Sequence, residues 1–177
     1  MVRARAQKGL SVTELLATLV VMTALTLAAA PPLAEIVRSS RLKAAARRLA
    51  VEVQGARSRA ISTGWEYRVT GFGADAAAGL RNRYRVMARR SSSLAWPDEA
   101  TAAFEDDDQI VREWVDLADL YPGILLNPSD SDSFGLTFDS RGIPTDLSLN
   151  FDPLQISDAR GVERYLSVSA AGSVRLE

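Results

Sequence analysis

Cysteine and histidine are absent from the chain. Disulfide staples, thiol nucleophiles, imidazole bases and the usual zinc ligand sets go with them. Lysine occurs only at Lys8 and Lys43, so Schiff-base and Ser-Lys chemistry has almost no material. Neither sign of charge prevails: the formal net charge is −1, which argues against a uniformly basic nucleic-acid binder. No cofactor is implied. What remains points away from catalysis and toward a structural or binding role. Hydrophobic residues make up 47% of the 177 positions, enough for one domain with a core of its own.

The charge is unevenly spread. Residues 35–90 hold thirteen basic and four acidic residues, net +9, and residues 91–177 hold five basic and seventeen acidic, net −12. A basic stalk and an acidic head would attract each other's counterparts on neighbouring molecules.

From Leu15 to Ala34 twenty residues pass without a charge. At ~1.5 Å per residue they would span ~30 Å, the hydrocarbon core of a bilayer. A membrane helix, a secretory signal and a buried core helix all fit that length, and the short basic leader of Arg3, Arg5 and Lys8 favours the first two. Cleavage after Ala28-Ala29-Ala30 would leave Pro31 first in the mature chain, an unfavourable residue there. It would also leave Glu14 at the mouth of the run without a purpose. A carboxylate costs roughly 2.5–3.5 kcal/mol at the membrane centre and less near the interface, so such a residue calls for a partner.

Lys8-Gly9-Leu10-Ser11-Val12-Thr13-Glu14-Leu15-Leu16 resembles the processing site of type IV prepilins and pseudopilins. The resemblance implies a cut after Gly9 by a prepilin peptidase, N-methylation of Leu10, and pairing of Glu14 with a terminal amine during assembly. It also gives an assembly role to Pro31, where the family often has a proline. Leu10 stands where phenylalanine is usual. The physical logic is compatible: a buried Glu14 is tolerable when a cation answers it, and the cut would create one at Leu10. The expected organisation is a leader at 1–9, a transmembrane and assembly half-helix at 10–34, an amphipathic half-helix at 35–63, and a periplasmic β domain at 64–177. Charge on either side of the apolar run is nearly balanced, so outward placement of the C-terminal domain rests on the resemblance.

Past the apolar run, Leu42, Ala45, Ala46, Leu49, Val53, Ala56 and Ala60 recur at three- and four-residue spacing. The spacing predicts one helix over about Ser11–Thr63, with Pro31-Pro32 kinking or locally unwinding it. Gly64 is its stop, and the stripe packs on the chain's own sheet. After Gly64 the expected strands are Trp65–Val69, Tyr84–Met87, a bent Gln109–Leu117, Ile124–Leu126, Gly135–Asp139, Asp146–Phe151, Glu163–Ser169 and Val174–Leu176. The fold class is α+β. Residues 91–108 read as a long flexible loop. The acids at 105–108, like Asp130 and Asp132, lack EF-hand spacing and read as solvated, with no metal site.

Leu136–Pro144, Ser157–Gly161, Tyr165–Ser169 and Gly172–Arg175 resemble elements of the GspH/FimT group of minor pseudopilins. That resemblance implies a long helix packed on two antiparallel sheets. It also implies a structural role, with no enzymatic one, as a GspH-type minor pseudopilin of the type II secretion pseudopilus. Its partners would be other pseudopilins or pilins, the prepilin peptidase and the bacterial inner membrane. The alternative is a FimT-like minor type IV pilin serving pilus initiation or DNA uptake. DNA-binding members end in Gly-Arg-x-Arg; here Ser173 takes the first arginine position and Arg175 is the one basic contact left for nucleic acid. Phosphate binding depends on such charge, so nucleic acid is not an expected partner. A secreted enzyme with an ordinary signal is the remote third reading. Without His or Cys it would need a carboxylate pair, and nothing marks one.

Overall fold

The computed structural model describes residues 11–77, 79–98, 100–128, 132–145 and 153–177. Contacts divide the chain into two compact units, one ending at Ser39 and one comprising Ser40–Glu177.

Helix α1 runs over Val12–Thr63, and the helical backbone continues through Pro31 and Pro32, so no local unwinding interrupts it there. Alanine, leucine and arginine, all strong helix formers, dominate its length. It ends where Gly64 takes a left-handed φ of 75° and donates its N–H to the Ala60 carbonyl at 3.0 Å. A side chain at that φ would be strained, which makes glycine the natural stop.

The second unit carries two antiparallel sheets. The strands are β1 (Glu66–Phe72), β2 (Arg83–Arg89), β3 (Phe104–Glu105), β4 (Gln109–Val111), β5 (Val115–Asp116), β6 (Ile124–Asn127), β7 (Ser133–Phe138), β8 (Leu154–Asp158), β9 (Glu163–Val168) and β10 (Val174–Leu176), with a short helix α2 at Leu117–Leu120. Six strands form one sheet in the order β3-β4-β2-β1-β7, with β5 also on β2; four form the other, β10-β9-β8-β6. Val69 sits opposite Val86 on one side and Leu136 on the other, which fixes the register at the middle of the larger sheet. The expected strand at Asp146–Phe151 lies outside the described residues. The bent segment at 109–117 resolves into β4, β5 and the start of α2.

All seven residues of the α1 stripe are buried, with Leu49, Ala45, Ala56 and Ala60 fully closed off from solvent. They share one core with Tyr67, Val69, Tyr84 and Val86 of β1 and β2, Leu136 and Phe138 of β7, and Leu126, Ile156 and Leu166 of the smaller sheet. Asn82 stitches the two sheets. Its side-chain oxygen accepts the Leu126 N–H at 3.0 Å, and its carbonyl accepts the Leu117 N–H at 2.9 Å.

The opposite face of β1 and β2 corrects the expectation of a flexible loop at 91–108. Buried Arg85 donates to the Asp98 and Thr101 carbonyls at 2.6 and 2.9 Å and lies 4.4 Å from the Trp114 ring centroid. Arg89 stacks on Trp96 at 4.4 Å, donates to the Leu94 carbonyl at 2.5 Å and pairs with Glu66 at 2.7 Å. Guanidiniums therefore strap this segment to the sheet. The acidic run caps the β3–β4 hairpin: Asp106 accepts the N–H groups of Asp108 and Gln109, while Glu105 and Asp108 pair with Arg112 and Arg90.

Candidate functional site

The first half of α1 has every described side chain in solvent. Val12, Leu15, Leu16, Leu19, Val20, Val21, Met22 and Leu25 are each more than half exposed, as are Leu33 and Ile36. Past the first turn, three threonines interrupt this surface. Their hydroxyls are turned back on the helix: Thr18 donates to the Leu15 carbonyl at 2.8 Å, Thr23 to Leu19 at 2.8 Å and Thr26 to Met22 at 2.7 Å. Each hydroxyl donor is satisfied inside the helix, so none requires water. The helix surface thus offers apolar contact all round, which no element of its own unit covers.

Glu14 is the acid of the first helical turn. Its N–H and that of Leu15 both donate to the Ser11 carbonyl, at 3.0 and 3.1 Å. The carboxylate is exposed, placed where the helix dipole favours negative charge. Gly9 and Leu10 lie outside the described residues, and so does the side chain of Pro31. Among the described residues, no helix is long and apolar enough to cross a membrane. The side chains at 27–32, within the expected span over Leu15–Ala34, lie outside the described residues.

A second constellation lies within the other unit. Asp139-Ser140-Arg141-Gly142-Ile143 and Asp158-Ala159-Arg160-Gly161-Val162 fold into the same turn. In the first, the Asp139 carboxylate accepts the N–H groups of Arg141 and Ile143 at 2.9 and 2.8 Å, and Gly142 donates to the Asp139 carbonyl. In the second, Asp158 accepts from Arg160 and Val162 at 2.9 and 3.0 Å, and Gly161 donates to the Asp158 carbonyl. Ser169-Ala170-Ala171-Gly172-Ser173 repeats the pattern with a serine, whose hydroxyl accepts the Ser173 N–H at 3.1 Å. The glycines share φ values of 75°, 80° and 76°, the left-handed residue that closes a three-residue hairpin loop.

Arg57 of α1 holds two of these turns at once. It donates to the Gly142 carbonyl at 3.1 Å and to the Ala171 carbonyl at 3.0 Å. Beside it is a cleft of about 360 Å³ lined by Gln54, Arg57, Ser58, Ile61 and Gly172–Val174. The sequence signal for Arg57 was its place on the flank of the buried stripe, one residue after Ala56. At Asp139, burial alone would push the carboxyl up; the N–H donors of Ile143 and Arg141 and the Arg141 guanidinium outweigh it and hold the group below the usual carboxylate range.

Arg175 is exposed on the edge strand β10, opposite Ser167 of β9. The neighbouring Ser173 hydroxyl is engaged with that of Ser169 at 2.6 Å. Among the described residues, no group of three or more acidic side chains is placed to hold a metal ion.

A scan of protein-family models and a search of curated proteins each return no match. Solved structures do match. The type IV minor pilin FimU of Pseudomonas aeruginosa in one crystal form is 17% identical over 80% of this chain and 92% of its own, with a TM-score of 0.50. A second form gives 18%, 76%, 91% and 0.48. The minor pseudopilin EpsH from the Type 2 Secretion System of Vibrio cholerae is 15% identical over 77% of this chain and 96% of its own, with a TM-score of 0.47. The chain has the pilin-like α+β fold: a long N-terminal helix followed by antiparallel sheets.

Proposed function

We propose that this chain is a minor subunit of a pilin-type filament, structural and not catalytic. It would be anchored in the bacterial inner membrane with its sheet domain outside. The observation that carries the reading is the first half of α1, apolar on every side, with its threonine hydroxyls satisfied internally and a single carboxylate in its first turn. Such a surface suits burial among other helices or lipid. The prepilin-like motif supplies the processing step: cleavage after Gly9, methylation of Leu10, and an ammonium to answer Glu14, with Pro31 also in the assembly segment. The system we assign is the type II secretion pseudopilus. DNA uptake is set aside because Ser173 is committed to its turn and Arg175 stands without the second arginine. A minor type IV pilin is the second reading, favoured by the fold likeness to FimU.

The test is the mature N-terminus of chain co-expressed with a prepilin peptidase and partner pseudopilins. Mass spectrometry should find N-methylated Leu10; a chain beginning at Pro31 would overturn the reading. Glu14→Leu should insert and be cleaved normally yet copurify poorly with partner subunits. An unpaired buried charge costs ~3–5 kcal/mol. Normal assembly by fully processed Glu14→Leu would remove the pairing role.

A further inference from the structure

Immediately beyond the uncharged run, α1 carries Arg38, Arg41, Lys43, Arg47 and Arg48, all exposed. Arg48 donates to the Tyr84 hydroxyl at 3.2 Å. The other four make no ion pair among the described residues. They are also set against one another: Arg38 and Arg41 are three residues apart and Lys43 and Arg47 four, the spacings at which like charges repel on a helix. On the helix itself Arg38 has the exposed Glu35 three residues before it and Arg48 has Glu52 four after it, while Arg41, Lys43 and Arg47 have no acid at either spacing. Acids of the sheet domain have other roles, Glu105 and Asp108 with Arg112 and Arg90, Asp116 with Arg83, Asp139 with Arg141. Exposed cations arranged in mutual repulsion call for an anion from outside the chain.

Position selects the anion. Arg38 and Arg41 follow Ala34 by four and seven residues, ~6 and ~10 Å of helical rise. The headgroup layer on each side of the hydrocarbon core is ~5–7 Å deep. Long arginine and lysine side chains reach back toward it along the helix, and Lys43 remains within about a screening length. We propose that Arg38, Arg41 and Lys43 form a collar that binds anionic phospholipid headgroups on the outer face of the membrane in which α1 is anchored. The inference rests on the anchored reading given above and adds the lipid class. It also answers a difficulty in that reading, because cations on the translocated side of an apolar segment oppose the usual charge bias.

The experiment uses the full processed chain in phosphatidylcholine vesicles and in mixed phosphatidylcholine–phosphatidylglycerol vesicles. Flotation measures insertion, and spin-labelled lipids report which headgroup is held at the protein. Phosphatidylglycerol should be preferred by ~5-fold or more, since each basic residue near an anionic surface contributes about that factor. The preference should fall toward parity in the triple variant Arg38→Gln, Arg41→Gln, Lys43→Gln and at high salt. It should persist in Arg38→Lys, Arg41→Lys. Equal retention of both lipids by the native chain, or a preference the triple variant keeps, would overturn the collar. If the triple variant instead loses self-association with no change in lipid retention, the occupant is the acidic face of a second copy and the proposal is wrong. Failure to float with either vesicle would reject anchoring itself, and the collar with it; insertion without lipid preference would reject the collar alone.

Discussion

Along α1, the described side chains of residues 12–26 and 33–37 leave their large apolar groups in solvent, whereas residues 42–60 bury a stripe of seven against the chain's own sheets. Both stretches are rich in alanine, and leucine recurs in both, so helix propensity does not separate them. Patterning does. In the first stretch apolar residues occupy every direction around the axis. In the second the buried ones occupy one side, and Lys43, four arginines, Glu52, Gln54 and Ser58 take most of the rest. The first stretch turns the hydroxyls of Thr18, Thr23 and Thr26 inward; the second sends polar groups outward to grip other parts of the fold, Arg48 to Tyr84 and Arg57 to two turns. The lesson is that the same helical backbone can serve as scaffold for a domain or as an apolar surface awaiting cover, according to where its apolar positions fall.

The sharpest way to break this contrast is to truncate one leucine in each stretch. Leu49→Ala should destabilise the sheet domain by roughly 2–5 kcal/mol, because a fully buried leucine leaves a cavity. Leu19→Ala should shift the same urea midpoint by less than about 0.5 kcal/mol, as exposed changes do, and should act on partner copurification instead. Equal losses in both variants would mean that the first stretch has a partner inside the chain.

The grip of the second stretch can be tested at Gly172. A Cβ there would meet the Gly142 carbonyl and the Arg57 Nε, each at 2.7 Å, on a backbone with φ of 76°. Gly172→Ala should therefore cost roughly 2–4 kcal/mol through strain and overpacking, read by thermal unfolding. The added methyl on Gly161, with φ of 80° but open space around it, should cost less. A smaller penalty at Gly172 than at Gly161 would show that Arg57 does not hold the turn.

A smaller loss than at Leu49 or Gly172 belongs to Asp139. Its carboxyl is held below the usual range in the folded chain, so its contribution is present above the unfolded carboxylate range and fades as pH falls through the folded value. Asp139→Asn should cost about 1 kcal/mol at neutral pH and have little effect in strong acid. Stability curves for the two proteins that stay parallel down to low pH would contradict this assignment.

Much of the fold was legible because period and punctuation agreed. The helix was expected from Ser11 to Thr63 and runs from Val12 to Thr63, its stop written in Gly64 and its buried face in seven apolar positions. Strands β1, β2, β6, β7, β9 and β10 announced themselves as short runs between turn residues. Strand β8 did not, because Pro153 and the preceding Asp152 mask its start and only Leu154 and Ile156 mark its alternation. The strap at 94–101 was hidden for a different reason. Its serines and acids look like solvated loop, and what holds it is Arg85 and Arg89 reaching from β2 to carbonyls and tryptophans, partners that local pattern cannot pair. Of the candidate site, Glu14 and the apolar surface around it were legible, whereas Arg57 was not: its acceptors are carbonyls 85 and 114 residues away.

The three like turns carry a consequence for how this chain can vary. Each is specified by its first residue, which caps the loop, and by a glycine three places on. The two positions between are Ser140-Arg141, Ala159-Arg160 and Ala170-Ala171. Arg141 adds a side-chain bond to Asp139, but the alanine pair closes the same turn with no side chain beyond its methyls. Hairpin geometry is thereby uncoupled from the chemistry displayed at the hairpin tip. These positions form a set of interchangeable sites at which a lineage can rewrite its outer surface, residue by residue, without disturbing strand register.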